Sequence, residues 1–194
     1  MIIWINGAFG AGKTQAAYEL RRRIGNAYVY DPENAGCFIR KNLPASACTD
    51  DFQDYPMWRT VNLEMLRYIM DHYTGDVIVP MTVTSRQYYD ELIGGLSANY
   101  DVKHIILSAG KKTLLKRLAS RLEGRRSWAA QQIDRCITAF DGTIPGHQID
   151  TDHMDIDQVV EAVAAAAGIA IPADDRSVLR RWFDRRAVQW QNIR

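Results

Sequence analysis

The segment Gly7-Ala8-Phe9-Gly10-Ala11-Gly12-Lys13-Thr14 has the spacing G-x-x-x-x-G-K-[ST]. Residues of these types at this spacing suit one task, which is holding a row of phosphates. The glycines let successive backbone N–H groups turn inward around phosphate oxygens, where a side chain would block them. Lys13 is long enough to meet the β- and γ-phosphates, and the Thr14 hydroxyl can ligate Mg²⁺. The apolar run Met1–Asn6 before the segment is of strand type, and Gln15–Arg23 after it reads as helix. A helix starting here points the positive end of its dipole at the same spot. Strand, loop and helix are the context the motif needs. Nucleotide contacts are therefore expected from Gly7, Ala8, Phe9, Gly10, Ala11, Gly12, Lys13, Thr14 and Gln15, with Thr14 as the metal ligand.

Three further groups carry chemistry. Tyr30-Asp31-Pro32-Glu33 follows a strand-like run. Asp31 there either takes a proton from an attacking hydroxyl or caps a helix with Pro32 at its first position, and the sequence leaves both open. Lys111 to Arg126 holds seven bases and the single acid Glu123. Arg117 and Arg121 share a helix face, and Arg125 and Arg126 follow Gly124. A solvated helix face accounts for part of the run, Lys111 and Lys112 above all, while guanidinium groups on a closing lid, at about residues 120–130, would neutralise phosphoryl oxygens in transfer. Asp50 to Arg59 mixes acids, aromatics and one arginine. Asp51, Phe52, Trp58 and Arg59 either line an acceptor pocket or form an acidic helix start with its aromatics turned into the core. The four histidines lack metal-ligand spacing.

The elements that must position these groups are legible as alternating runs. Strands are expected at Ile2–Ile5, Ala27–Tyr30, Val77–Val79, Lys103–Leu107 and Gln148–Thr151. Helices are expected at Lys13–Arg23, Tyr55–His72, Arg86–Ala98, Lys111–Leu122, Ala129–Phe140 and Ile156–Ala167. The strand runs are too apolar to alternate, as for parallel strands buried on both faces. The fold class is therefore α/β, a three-layer parallel sheet with right-handed crossovers. Ligands in such sheets sit beyond the carboxyl ends of the strands. That adds Glu33, Met81 and Thr82 to the substrate-side candidates.

The 194 residues suit one domain, with a net charge of +1 that calls for no nucleic-acid partner. Three cysteines without C-x-x-C fit a reducing compartment. No signal peptide or membrane span is expected, because the first residues already form a strand and no apolar run is long enough. The chain divides into a body, 1–172, and a basic amphipathic helix in 173–194. Asp175 to Arg194 carries six arginines against two acids, net +4, leaving −3 for the rest. Its tryptophans and arginines suit either an anionic membrane surface or packing on the body. Removing it is expected to spare nucleotide binding. The pattern carries no signal for an oligomeric state.

The runs MIIWINGAFGAGKTQ, YVYDPE, DFQDYPMWR, VIVPMT, LLKRL, SWAAQQIDRC and QIDTD closely resemble the tunicamycin resistance ATP-binding proteins, over nearly the whole chain. The wider resemblance is to P-loop small-molecule kinases. It implies a five-stranded sheet in order 2-3-1-4-5, a basic lid, and Asp31 as the catalytic Asp after strand 2. It also implies Arg117 packing on adenine, Arg121 and Arg125 as lid arginines, and Thr151-Asp152 as the adenine-side loop. ATP and Mg²⁺ are the implied cofactors. The implied ligand is tunicamycin, a uracil nucleoside with a fatty acyl chain. That ligand is either phosphorylated or only captured, and a nucleoside or sugar metabolite is a third substrate class. A cytoplasmic protein is implied, with the inner face of the membrane as a place of contact. One departure is visible: strand 3 ends Val79-Pro80-Met81-Thr82, without the Asp that often positions Mg²⁺ in these kinases.

Overall fold

The computed structural model describes residues 1–120 and 127–191. β1 (Ile2–Gly7), β2 (Ala27–Val29), β3 (Asp76–Pro80), β4 (Val102–Ser108) and β5 (His147–Asp150) form one parallel sheet in the order β2-β3-β1-β4-β5. This is the order expected from the family resemblance. β1 lies at the centre, so the glycine loop leaves the middle of the sheet. Its residues divide by strand period: Ile3 and Ile5 enter one buried cluster, Ile2 and Trp4 the other. α1 (Lys13–Arg23) and α9 (Ile156–Ala167) cover the first face. α3 (Pro56–His72) covers the second, with Trp58 and Leu66 fully buried against Trp4 and Val79. Each large side chain so buried contributes about 1.5–3 kcal/mol.

α1 and α9 span the residues expected of them. α9 has an Asp155–Gln158 capping box and ends at Gly168, φ +73°. Other elements differ in instructive ways. α2 (Glu33–Lys41) has no counterpart in the expected helices. Its Gly36 lies under the Phe52 ring, where an added Cβ would sit 2.6 Å from Cγ, so close packing replaces an apolar stripe. The expected helix at 86–98 is α4 (Arg86–Tyr89) and α5 (Gly95–Ser97) with a π turn, Asp90–Gly94, between them. The Gly94-Gly95 pair makes that departure cheap. α6 (Lys111–Ala119) follows β4. The next expected helix divides into α7 (Trp128–Gln131) and α8 (Ile133–Thr138), and α10 (Val178–Gln191) closes the described chain. Among the described residues no helix is long and apolar enough to cross a membrane.

His104 on β4 stands beside Trp4 in register. Its Nδ1 lies 2.6 Å from the Pro145 carbonyl and its Nε2 3.1 Å from Asn6 Nδ2. Donation from Nδ1 and acceptance at Nε2 require the neutral ring. Burial pushes its pKa down to about 4. A ring kept neutral in the fold but free to charge when unfolded stabilises the fold fully above pH 6.5, and that contribution is lost as pH falls toward 4. Between pH 7 and 5 the chain should lose about 2 kcal/mol on this account. Urea unfolding of the wild type and of His104→Gln at both pH values measures it, and an equal pH dependence in the two proteins would refute it.

Candidate nucleotide-binding site

The loop owes its shape to the end of β1. Asn6 is fully buried, and its side-chain amide makes four contacts. Oδ1 accepts from Gly7 N at 2.8 Å and Val83 N at 2.9 Å, while Nδ2 donates to Val83 O at 3.0 Å and meets His104. Gly7 has φ +143°, and a Cβ there would lie 2.5 Å from Leu107 O, so only glycine fits. Gly10 (φ +86°) and Gly12 (φ +100°) carry the chain around to α1, whose cap position is Gly12. Lys13 donates to Gly7 O at 2.9 Å and Ala8 O at 3.1 Å, beneath the Phe9 ring. Its ammonium therefore lies along the loop's own rim. Ala8 and Ala11 turn into the core, and Thr14 stands in the first turn of α1. Left-handed glycines, a lysine on the rim and a helix start are the donor set a polyphosphate requires, so the residues fit a nucleotide.

A second group gathers beyond β4 and β5. Arg117 donates to Thr151 Oγ1 at 3.0 Å and to Thr151 O at 2.6 Å. Thr151 Oγ1 in turn donates to Ser108 O. Asp152 accepts from Gly110 N at 3.0 Å, and the Thr113 hydroxyl, then Gly110, holds its carboxyl below the usual range. Between these residues and the loop lies a cleft of about 270 Å³, bounded by Gly10 to Gly12, Gln15, Arg117 and Met154. The structure thus brings Arg117 and the loop to one cleft, with Thr151 bonded to Arg117. Arg121 and Arg125, like the rest of the expected lid core, lie outside the described residues.

Asp31 stands at the end of β2, one residue before Pro32. Pro32 is the cap residue rather than the first helical residue, yet Asp31 Oδ1 still accepts from Glu33 N at 3.0 Å. Trp58 Nε1 donates to Pro32 O at 3.0 Å, and Tyr30 donates to Asn62 Oδ1 at 2.8 Å. Burial pushes the Tyr30 hydroxyl up to about 12. Two residues of α3 therefore pin the backbone that carries Asp31.

Several substrate-side candidates are placed elsewhere by the fold. Trp58 is 0% exposed, packed on Phe52 and occupied by Pro32, so it positions β2 instead of stacking on a ligand. Met81 is a core residue whose carbonyl takes the Trp4 indole N–H. Thr82 is buried with its hydroxyl on Gly7 O at 2.9 Å, a strut beneath the loop. Asp51 caps the turn Phe52–Asp54 and pairs with Arg135 at 3.2 Å. Arg59 is held by Glu91 and Gln53 O and lies 4.4 Å from the Tyr88 ring centre. Phe52 and Glu33 remain partly exposed.

The final helix is the largest departure. Glu19 of α1 is 1% exposed and carries Arg176, with Arg22 at 2.8 Å and Arg185 at 3.8 Å. Arg181 and Arg185 both bond Asp157, and Arg176 holds Asp174, whose carboxyl it draws down to about 2. Glu19, Asp157 and Asp174 converge closely enough to ligate a metal, but arginines already fill that role. α10 is thereby docked on α1 and α9, and Arg185 and Gln189 line the nucleotide-side cleft. The expectation that this segment leaves the site untouched does not hold geometrically.

The AAA domain family matches residues 2–142. The tunicamycin resistance protein of Deinococcus radiodurans superposes with a TM-score of 0.74 at 30% identity, over 89% of this chain and 99% of that one. The chain belongs to the tunicamycin resistance family. Two kinases share the fold: a gluconokinase from Sinorhizobium meliloti (TM-score 0.61, 16% identity, 86% and 90% of the two chains) and shikimate kinase from Bacteroides thetaiotaomicron (0.59, 16%, 87% and 99%). No curated protein matches the chain in sequence.

For this tunicamycin resistance homologue, sequence reasoning missed Asn6, Asn62, Glu19, Arg185 and Gln189. Asn6 has the clearest signal, an amide standing between an apolar strand and the first glycine. Asn6→Ala should cost about 3 kcal/mol, because two backbone N–H groups and one carbonyl lose their partner. It should also weaken phosphate binding by loosening Gly7. A chemical melt within 1 kcal/mol of wild type, by the same scale, would show that water replaces the amide.

Proposed function

We propose that the chain is an ATP-dependent phosphotransferase acting on a hydroxyl of tunicamycin or a related nucleoside. The observation that carries this reading is the pairing of the glycine loop at the end of β1 with Asp31 at the end of β2. In the sheet order only β3 separates these two strands. The acceptor oxygen would bond the γ-phosphorus as the bond to the bridging oxygen breaks and ADP departs. Asp31 would take the hydroxyl proton. Lys13 would follow the charge on the transferred group, with guanidinium groups of the lid beside it. Thr14 would hold Mg²⁺, which when bound supplies charge neutralisation on the β- and γ-oxygens.

A second reading has one observation in its favour. Strand 3 offers Thr82, already bonded to Gly7 O, where many such kinases carry an acid. The alternative is capture of the drug with ATP bound but not consumed. Mass spectrometry of tunicamycin incubated with the protein and Mg-ATP separates the two: a gain of one phosphate is expected, and unchanged drug would establish capture. Lys13→Ala should abolish transfer. Asp31→Asn should keep ATP binding and lower transfer at least ~100-fold, the scale of a lost general base. Turnover within a few-fold of wild type would rule Asp31 out as the base.

The outer face of α10 supports a membrane-proximal location on the inner surface of the cell. Val178, Leu179, Trp182 and Phe183 are exposed there, with Arg180 and Arg186 among them. An amphiphilic drug partitions into lipid, and this face suits an anionic headgroup layer. Each arginine near such a surface adds about 1 kcal/mol, so attachment should weaken with salt. The double variant Trp182→Ala/Phe183→Ala spares the docked face and should lose co-sedimentation with phosphatidylserine vesicles. Equal sedimentation of both proteins would refute the contact.

A further inference from the structure

One wall of the cleft beside the loop comes from the C-terminal helix. Arg185 and Gln189, one turn apart on α10, face into it together with Gln15 of α1 and Met154 and Ile156 of the β5–α9 connection. Gln15 is 8% exposed. Its Nε2 donates to Arg185 O at 2.9 Å, while its Oε1 has no partner among the described residues. Arg185 Nε is buried and likewise makes no hydrogen bond, with Glu19 Oε1 as far as 3.8 Å away. Buried polar atoms are almost always satisfied, because an unpaired one forfeits its hydration with no return. Both residues line a single cleft, with the unpaired acceptor and donor themselves buried in its wall. A ligand carrying both hydrogen-bond donors and acceptors would pair them once these side chains turn toward it.

A nucleoside is such a ligand. Its ribose hydroxyls donate and accept, and an adenine edge offers an amine beside a ring nitrogen, the pattern a glutamine carboxamide matches. The cleft of about 270 Å³ lies just under the range of pockets for whole drug-sized ligands, about 300–1,000 Å³. It suits a base with its sugar, with the phosphates continuing into the loop. Met154 and Ile156 offer apolar surface to a ring, and Arg117 a planar guanidinium.

We propose that α10 is a working wall of the nucleotide site, in which Gln15, Arg185 and Gln189 receive the nucleoside half of ATP. The wall is held by ion pairs, since Asp157 bonds Arg181 and Arg185 while Glu19 bonds Arg176. The proposal rests on the reading of the glycine loop as the ATP site, and its test separates the two. Full-length wild type, Gln189→Ala, Arg185→Ala and Lys13→Ala are titrated calorimetrically with Mg-ATP and with Mg-tripolyphosphate, which has no nucleoside. Gln189→Ala and Arg185→Ala should each bind ATP about tenfold more weakly while holding tripolyphosphate within about twofold of wild type. Lys13→Ala should lose both ligands. Gln189 takes part in no ion pair of the docked helix, so its variant carries the test alone if Arg185→Ala melts early.

ATP affinity within about twofold of wild type in the α10 variants, with Lys13→Ala still defective, would overturn the proposal and leave the loop reading intact. Parallel loss of ATP and tripolyphosphate in Gln189→Ala would overturn it too, by giving the helix a purely structural role. A folded wild type that binds neither ligand would refute the loop reading, and the proposal with it.

Discussion

The side-chain amide of Asn6 is the contact on which the site's geometry depends. It ties the last turn of β1 to the chain leaving β3 and to His104 of β4, so three adjacent strands end in fixed relation. The first loop N–H, that of Gly7, is consumed in that tie, and Thr82 takes the Gly7 carbonyl from the other side. The loop is therefore held at its root by buried hydrogen bonds, where competing water is absent and each bond is worth more than on the surface. Within the loop Ala11 N–H donates to Ala8 O at 3.1 Å, which adds to that rigid base. Preorganisation of this kind lowers the cost of ordering donors around an anion at the moment of binding.

The same buried chemistry recurs on the far side of α1, with opposite consequences. Glu19 is a carboxylate in the interior and so has to be paired, and the arginines that pair it come mainly from the C-terminal segment. Ion pairs of this sort contribute modest net stability but fix register sharply. A helix docked by apolar contacts could slide along α1, whereas one docked through Glu19 and Asp157 has its Arg185 and Gln189 set at one height above the loop. The polar inner face also explains why the apolar residues of α10 are left outside, at Val178, Leu179, Trp182 and Phe183. The helix is close to amphipathic in reverse: apart from the buried Val188 its inner contacts are largely ionic, and its exposed face mixes these apolar residues with Arg180 and Arg186.

That reversal marks the limit of what could be read from the chain. The glycine loop was legible because its constraint is local: positive φ and close backbone approach are properties of single residues at fixed spacing. The parallel strands were legible because burial on both faces leaves continuous apolar runs such as Ile2–Ile5, and the order of the sheet followed from family resemblance. α10 looked the same for a membrane face and for a docked helix, since arginine alternating with tryptophan does not say which side meets carboxylates elsewhere in the chain. Trp58, Met81 and Thr82 read as ligand-facing by their position after a strand or beside acids, and were decided instead by partners 26 to 77 residues away: Pro32, Trp4 and Gly7. Glu19 stands just before Arg21-Arg22-Arg23, and nothing in its spacing marks it as buried. Only the third dimension shows it to be interior.

The placement of Thr82 bears on how the proposed chemistry could be divided among few groups. A carboxylate that both positions a metal and accepts a proton serves neither well, because coordination lowers its basicity. Mg²⁺ keeps several waters and needs only one or two protein ligands beside the phosphate oxygens, so Thr14 can suffice without an acid from strand 3. Asp31 is then free of metal duty. Its backbone is braced by Trp58, which donates to Pro32 O, and by Asn62, which holds the Tyr30 hydroxyl. On this argument the missing acid of strand 3 is compatible with the proposed phosphoryl transfer, and the burden of transition-state charge would fall on Lys13 and the arginines expected of the lid.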